Sequence, residues 1–103
     1  MKALVPKDFR KLFLNALHEQ GQIKSAKMAT IVRCVEIFFS KDEDMSALIK
    51  IIRTYWHYSP KERAARLHVS EATYHFNVRM LCIVAYMAAL ELGYTHAFKA
   101  KGA

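Results

Sequence analysis

Met80 to Leu92 holds twelve apolar residues in thirteen, interrupted only by Glu91. A helix that is apolar on all sides must be surrounded by other elements, and this requirement constrains the rest of the chain. The run is too short for a membrane span, which needs about 18 or more apolar residues. It therefore reads as the buried helix of a soluble protein. A chain of 103 residues has material for one core, so a single domain over 1–103 is expected. Two prolines and three glycines leave little for turns, which favours a few long helices over many short strands.

Capping chemistry then divides the chain into five helices. The first can start at Pro6, where the missing N–H costs nothing, and run to about Gln20, with Gly21 ending it. Phe9, Leu12, Phe13, Ala16 and Leu17 form its apolar stripe. Ser25 is the N-cap of a second helix, striped by Met28, Ile31, Val32, Val35, Phe38 and Phe39. These two cover residues 6–39, and the sequence assigns them no role. Ser40 with Glu43 makes a capping box for a third helix that buries Met45, Leu48, Ile49, Ile52 and Trp56. A second box follows, with Ser59 as cap, Pro60 at the first helical position and Glu62 reaching back. That helix is short, because the pattern breaks at Leu67-His68-Val69. Ser70 caps a last helix that continues to about Leu92, before Gly93. No strand-period alternation and no internal repeat is present. The expected fold is an all-α five-helix bundle.

The segment "SPKERAARLHVSEATYHFNVRML" is the most informative for function. A short capped helix, a tight turn and a second capped helix is the layout of a helix-turn-helix, here over residues 59–79. Ala64 and Ala65 supply small residues for the crossing, Leu67 and Val69 flank the turn, and Tyr74, Val78 and Leu81 underlie the second helix. Glu71, Ala72, His75, Phe76 and Arg79 are left on the outward face, the set that a recognition helix, here 70–92, presents to base edges in the major groove. Arg79 and His75 are the expected readers of bases. Lys61 and Arg66 are expected on phosphates, as are Ser70 and Thr73 at the helix start, where backbone N–H groups and hydroxyls can hold an anion. The plainer alternative is two ordinary packed helices joined by a turn.

The run "KERAARLHVSEATY" resembles the helix-turn-helix of sigma-factor region 4 and of response-regulator activators. Its "LHVSEATY" portion is most similar to phage late-gene regulators of the antitermination Q and ArpU kind. The matching positions are Ala64, Leu67, His68, Val69, Ser70, Thr73 and Tyr74, and the resemblance spans Tyr55 to Leu90 at most. It implies a transcription regulator of phage or mobile-element type. Two positions depart from the pattern. His68 stands where glycine is usual, because the backbone there adopts positive φ, and Arg63 stands where an aliphatic residue usually packs.

A formal charge of +7 and a pI near 9.6 make a polyanion a plausible partner. The strongest positive field lies outside the motif, on Lys7, Arg10, Lys11, Lys24, Lys27 and Arg33. If these flank the recognition helix they anchor phosphates; otherwise they form a solvated face. Cys34 and Cys82 both fall in apolar runs without paired spacing and read as buried thiols of a reducing, cytoplasmic compartment. The start "MKALVPKDFR" does not read as a signal peptide. No two of His18, His57, His68, His75 and His96 stand three or four residues apart, so neither metal nor cofactor is expected. With no glycine-rich phosphate loop and no nucleophile elbow, an enzyme is not expected either. Asp42, Glu43 and Asp44 fall in the first turn of a helix, where they favour its dipole.

The last helix raises the question of a second copy. If the chain's own core uses Leu81, Cys82, Ala85, Ala88 and Leu92, then Ile83, Tyr86, Met87 and Leu90 are left for a homodimer interface, unless the N-terminal helices wrap this face within one chain through Phe9, Phe13 and Phe38. Dimers reading two half-sites are also how a small helix-turn-helix gains affinity. The expected function is a sequence-specific regulator that binds double-stranded DNA. The alternative is an interaction module, for example one that binds RNA polymerase, with little base reading. Glu71 and Phe76 suit that alternative.

Overall fold

The computed structural model describes residues 5–19 and 22–93. The expected helix end at Gln20 and Gly21, and His96, lie outside these residues. Five helices follow in order: α1 (Lys7–Glu19), α2 (Ala26–Phe38), α3 (Glu43–Thr54), α4 (Pro60–Arg66) and α5 (Glu71–Glu91). Among the described residues there is no strand.

Caps set the starts. The Pro6 carbonyl accepts from the Arg10 N–H at 3.0 Å, so Pro6 precedes the first turn of α1 rather than beginning it. Ser25 Oγ accepts from the Met28 N–H at 3.2 Å. The expected box at Ser40 does not form. The Ser40 N–H donates to the Ile37 carbonyl and the Asp42 N–H to the Phe39 carbonyl, closing the turn that leaves α2. This moves the start of α3 onward to Asp42, whose Oδ1 accepts from the Met45 N–H at 3.0 Å. The carboxylate there also meets the positive end of the helix dipole.

α5 packs against each of the other four helices, which covers much of its apolar run but leaves Met87, Leu90 and Leu92 exposed, so the helix is not surrounded on all sides. Its buried stripe is Tyr74, Val78, Leu81, Cys82, Ala85 and Ala89. Around them lie Phe9, Phe13 and Leu17 of α1, Ile31 and Val35 of α2, and Leu48 and Ile52 of α3. Arg53 ties three helices together, donating from Nε to the Leu17 carbonyl at 2.9 Å and pairing with Glu36 at 2.8 Å. Burial of this kind pushes the Cys82 thiol up to about 11, partly offset by the nearby Arg10 guanidinium.

Several expected core positions differ. Leu12 and Phe38 are exposed. Leu12 sits at the edge of the α1 stripe, while α2 stops at Phe38 and the capping residue Phe39 turns its ring inward. Cys34 is half-buried rather than buried. On α5 the stripe continues to Ala89, one residue beyond the expected Ala88, leaving Leu92 exposed. Four residues after Ala85 is the natural next step of a 3.6-residue period. Trp56 is half-buried, with its ring parallel to that of His18 at 4.8 Å. No helix among the described residues is long and apolar enough to cross a membrane.

Candidate nucleic-acid interface

The α4–turn–α5 unit is built by three consecutive capping events. Ser59 Oγ accepts from the Glu62 N–H at 3.2 Å, and Pro60 takes the first helical position. The reciprocal half of the expected box does not form: the Glu62 carboxylate accepts from the Ser59 hydroxyl at 3.3 Å instead of from the Ser59 backbone N–H. At the other end of α4 the His68 N–H donates to the Ala65 carbonyl and the Val69 N–H to the Ala64 carbonyl, both at 3.1 Å. This pair of bonds is a Schellman motif, whose geometry requires a left-handed residue between them. That residue is His68, with φ of 58°. The positive φ read from the position of His68 in the pattern is thus present, held by two backbone hydrogen bonds. The chain returns to extended geometry at Ser70, whose Oγ accepts from the Thr73 N–H at 3.1 Å and starts α5.

Ala64, 2% exposed, is the small residue at the crossing; Ala65 faces solvent instead. Leu67 and Val69 pack against the core from either side of the turn. Tyr74, Val78 and Leu81 are buried beneath α5, as their spacing predicts.

Arg63 has a structural role that the sequence did not disclose. Its Nε donates to the Tyr55 carbonyl at 3.0 Å and one terminal nitrogen to the Trp56 carbonyl at 2.6 Å. The other terminal nitrogen donates to the Tyr74 hydroxyl at 2.7 Å. The guanidinium also lies 5.5 Å from the Trp56 ring centre. One side chain therefore satisfies carbonyls where α3 ends and holds α5 through Tyr74. An aliphatic residue could fill the space but could not serve these three acceptors. The only signal in the sequence was the departure itself.

All five outward residues of α5, Glu71, Ala72, His75, Phe76 and Arg79, are exposed, and Phe76 keeps 56% of its surface. His75 Nε2 lies 3.5 Å from the Glu71 carboxylate, one helical turn away. Thr73 is exposed, and its Oγ1 accepts from the Ser70 hydroxyl at 2.9 Å, which leaves the Thr73 proton to donate outward. Lys61 is exposed. Arg66 lies over two rings, 4.2 Å from the centre of Tyr55 and 4.9 Å from that of Tyr58. Its planar face is committed to the aromatics, and its edge carries the donors that an anion can meet.

Further along α5 the expected interface residues separate. Tyr86 packs edge-on against Phe9 at 5.2 Å, within the chain's own core. Ile83 is half-buried, whereas Met87 and Leu90 are 58% and 54% exposed. Among the described residues no cluster of three His, Cys, Asp or Glu side chains could hold a metal ion. No protein-family model, curated protein or solved structure matches this chain.

Proposed function

We propose that the protein is a DNA-binding transcription regulator of phage or mobile-element type. In this reading the α4–turn–α5 unit is a helix-turn-helix, and the first turns of α5 enter the major groove. The observation that carries the reading is the exposed set Glu71, Ala72, His75, Phe76 and Arg79 on a helix whose opposite face is buried. An α-helix is about 10–12 Å across and the major groove about 12 Å wide, so such a face can reach base edges. Arg79 offers a guanine a bidentate donor, Glu71 can accept from cytosine, and Ala72 and Phe76 suit the thymine methyl. Lys61, Arg66 and Thr73 would steady the backbone, with Ser70 holding the end of the helix in place. In the same reading Met87 and Leu90 serve a homodimer that spans two half-sites.

Binding to target and random duplexes across a salt series, with wild-type protein and Arg79→Ala, tests this. Loss of Arg79 should weaken target binding by about 1–3 kcal/mol and leave random DNA almost unaffected. Equal weakening on both would make Arg79 a phosphate contact. A second reading, a protein-docking module that meets RNA polymerase, draws on Phe76 and on the Glu71–His75 pair, since an exposed aromatic beside a paired acid suits a protein surface. A steep salt dependence without sequence preference would favour it.

A further inference from the structure

A cleft of about 130 Å³ opens beside the outward face of α5, bordered by Arg10, Leu14, Trp56, Arg63, Tyr74 and His75. No acidic side chain is among its described lining residues. Arg10 is half-buried there, and its guanidinium has no ion-pair or hydrogen-bond partner among the described residues. Arg63 spends three of its five N–H donors on neutral acceptors, so its charge also lacks a counter-ion at this site. Two guanidiniums thus share one cleft walled by Leu14, Trp56 and Val78, and such low-dielectric walls concentrate a positive field.

Size narrows the occupant. Pockets for drug-sized or cofactor ligands run to about 300–1,000 Å³, so this cleft suits a single oxyanion. Position narrows it further. His75 belongs both to the cleft and to the face proposed to read bases, so whatever fills the cleft lies against a molecule docked on α5. On α1, Lys7 and Lys11 are exposed one turn before and one residue after Arg10.

We propose that this cleft seats one phosphate of the DNA backbone, gripped by Arg10, so that α1 forms part of the nucleic-acid interface. The inference rests on the DNA-binding reading and gives one of the basic residues of α1 a defined seat for a phosphate, which the sequence could offer only as a conditional anchor. Arg10 would position the duplex without reading it. Its loss should therefore lower affinity for target and random DNA by the same factor, about tenfold at 0.1 M salt, and reduce the salt slope by about one.

The test measures wild type and Arg10→Gln against both duplexes over a salt series. It is paired with phenylglyoxal modification of Arg10 in the wild-type protein, with and without duplex, read by mass spectrometry. The expected result is equal weakening on both duplexes, a shallower slope and protection of Arg10 by duplex. The modification arm needs no variant and decides the matter if Arg10→Gln does not fold. Wild-type binding with Arg10→Gln indistinguishable, or with Arg10 unprotected, overturns this inference alone. If 20 mM inorganic phosphate raises the melting temperature of wild type but not of Arg10→Gln, while the DNA slope is unchanged, the cleft holds a free oxyanion and the DNA assignment is overturned. Wild-type protein that binds no duplex removes the DNA reading, and this inference with it.

Discussion

The two halves of α5 are one continuous helix with contrasting surroundings. Up to Arg79 only Tyr74 and Val78 are buried, and the outward side is mixed in charge, polarity and size. From Met80 onward Leu81, Cys82, Ala85 and Ala89 lie inside, and the outward side carries Met87 and Leu90. The later half is held by helices on several sides. The earlier half extends from that anchor and rests on α4, tied there by the hydrogen bond from Arg63 to the Tyr74 hydroxyl. A face on a rigid, anchored helix loses little freedom when it meets a partner, and that is the condition for precise recognition.

The sharpest way to break this contrast is to truncate one residue in each half. Leu81→Ala should destabilise the fold by about 2–5 kcal/mol, since Leu81 is fully buried and its removal leaves a cavity. Phe76→Ala should stay within about 0.5 kcal/mol in chemical denaturation, although a larger ring is lost, because that ring lies outside. Similar losses for both would mean that the earlier half also belongs to the core.

The junction that orients the earlier half is next. Arg63→Leu should lower stability by about 2–3 kcal/mol, because it leaves two carbonyls and the Tyr74 hydroxyl without their charged donor. If denaturation shows no loss, packing alone holds α5 and the hydrogen bonds are incidental.

This junction also shows how far the sequence could be read. Caps were legible because Ser25, Ser59 and Ser70 act on backbone N–H groups only three residues away. The left-handed turn was legible for the same reason, since a Schellman motif is closed within six residues. Arg63 was not, because two of its acceptors are carbonyls of an earlier element, and any residue has a carbonyl. Arg10 was legible as one of six basic residues that could anchor a phosphate, but its cleft was not, because it forms only once α1 has packed beside α5. The misplaced start of α3 arose locally: Ser40 and Asp42 are both good caps, and the turn leaving α2 decided between them.

A smaller effect sharpens the comparison at the turn. His68→Gly should raise stability by up to about 1 kcal/mol, since a side chain at φ of 58° carries steric strain that glycine lacks. Glycine's greater freedom in the unfolded chain offsets part of that gain. His68→Val should lower the melting temperature, because a β-branched residue tolerates this region worst. A lower melting temperature for the glycine variant would mean that the His68 side chain contributes contacts outweighing its strain.

Met87, like Phe76, should matter little to stability, and there the later half of α5 is tested for a duty beyond anchoring. Met87→Glu should change the unfolding free energy of dilute protein by no more than about 0.5 kcal/mol, because the side chain is already 58% exposed. Its effect should appear in association. Full burial of a Met or Leu side chain is worth about 1.5–3 kcal/mol, and about half of that remains to be gained where roughly half the surface is already covered. Met87 and Leu90 from two copies then supply about 5 kcal/mol, against an association cost of about 4–15 kcal/mol. With Tyr86 turned inward on Phe9, the strip is too narrow for a tight dimer by itself. The expected state is therefore a weak dimer, visible by sedimentation equilibrium only at high protein concentration and strengthened by a duplex carrying two half-sites. On such a duplex wild type should bind cooperatively and Met87→Glu should bind each half-site alone. An unfolded Met87→Glu would place this face in the core, and wild-type protein that stays monomeric both free and on the paired site would leave the later half of α5 an anchor only.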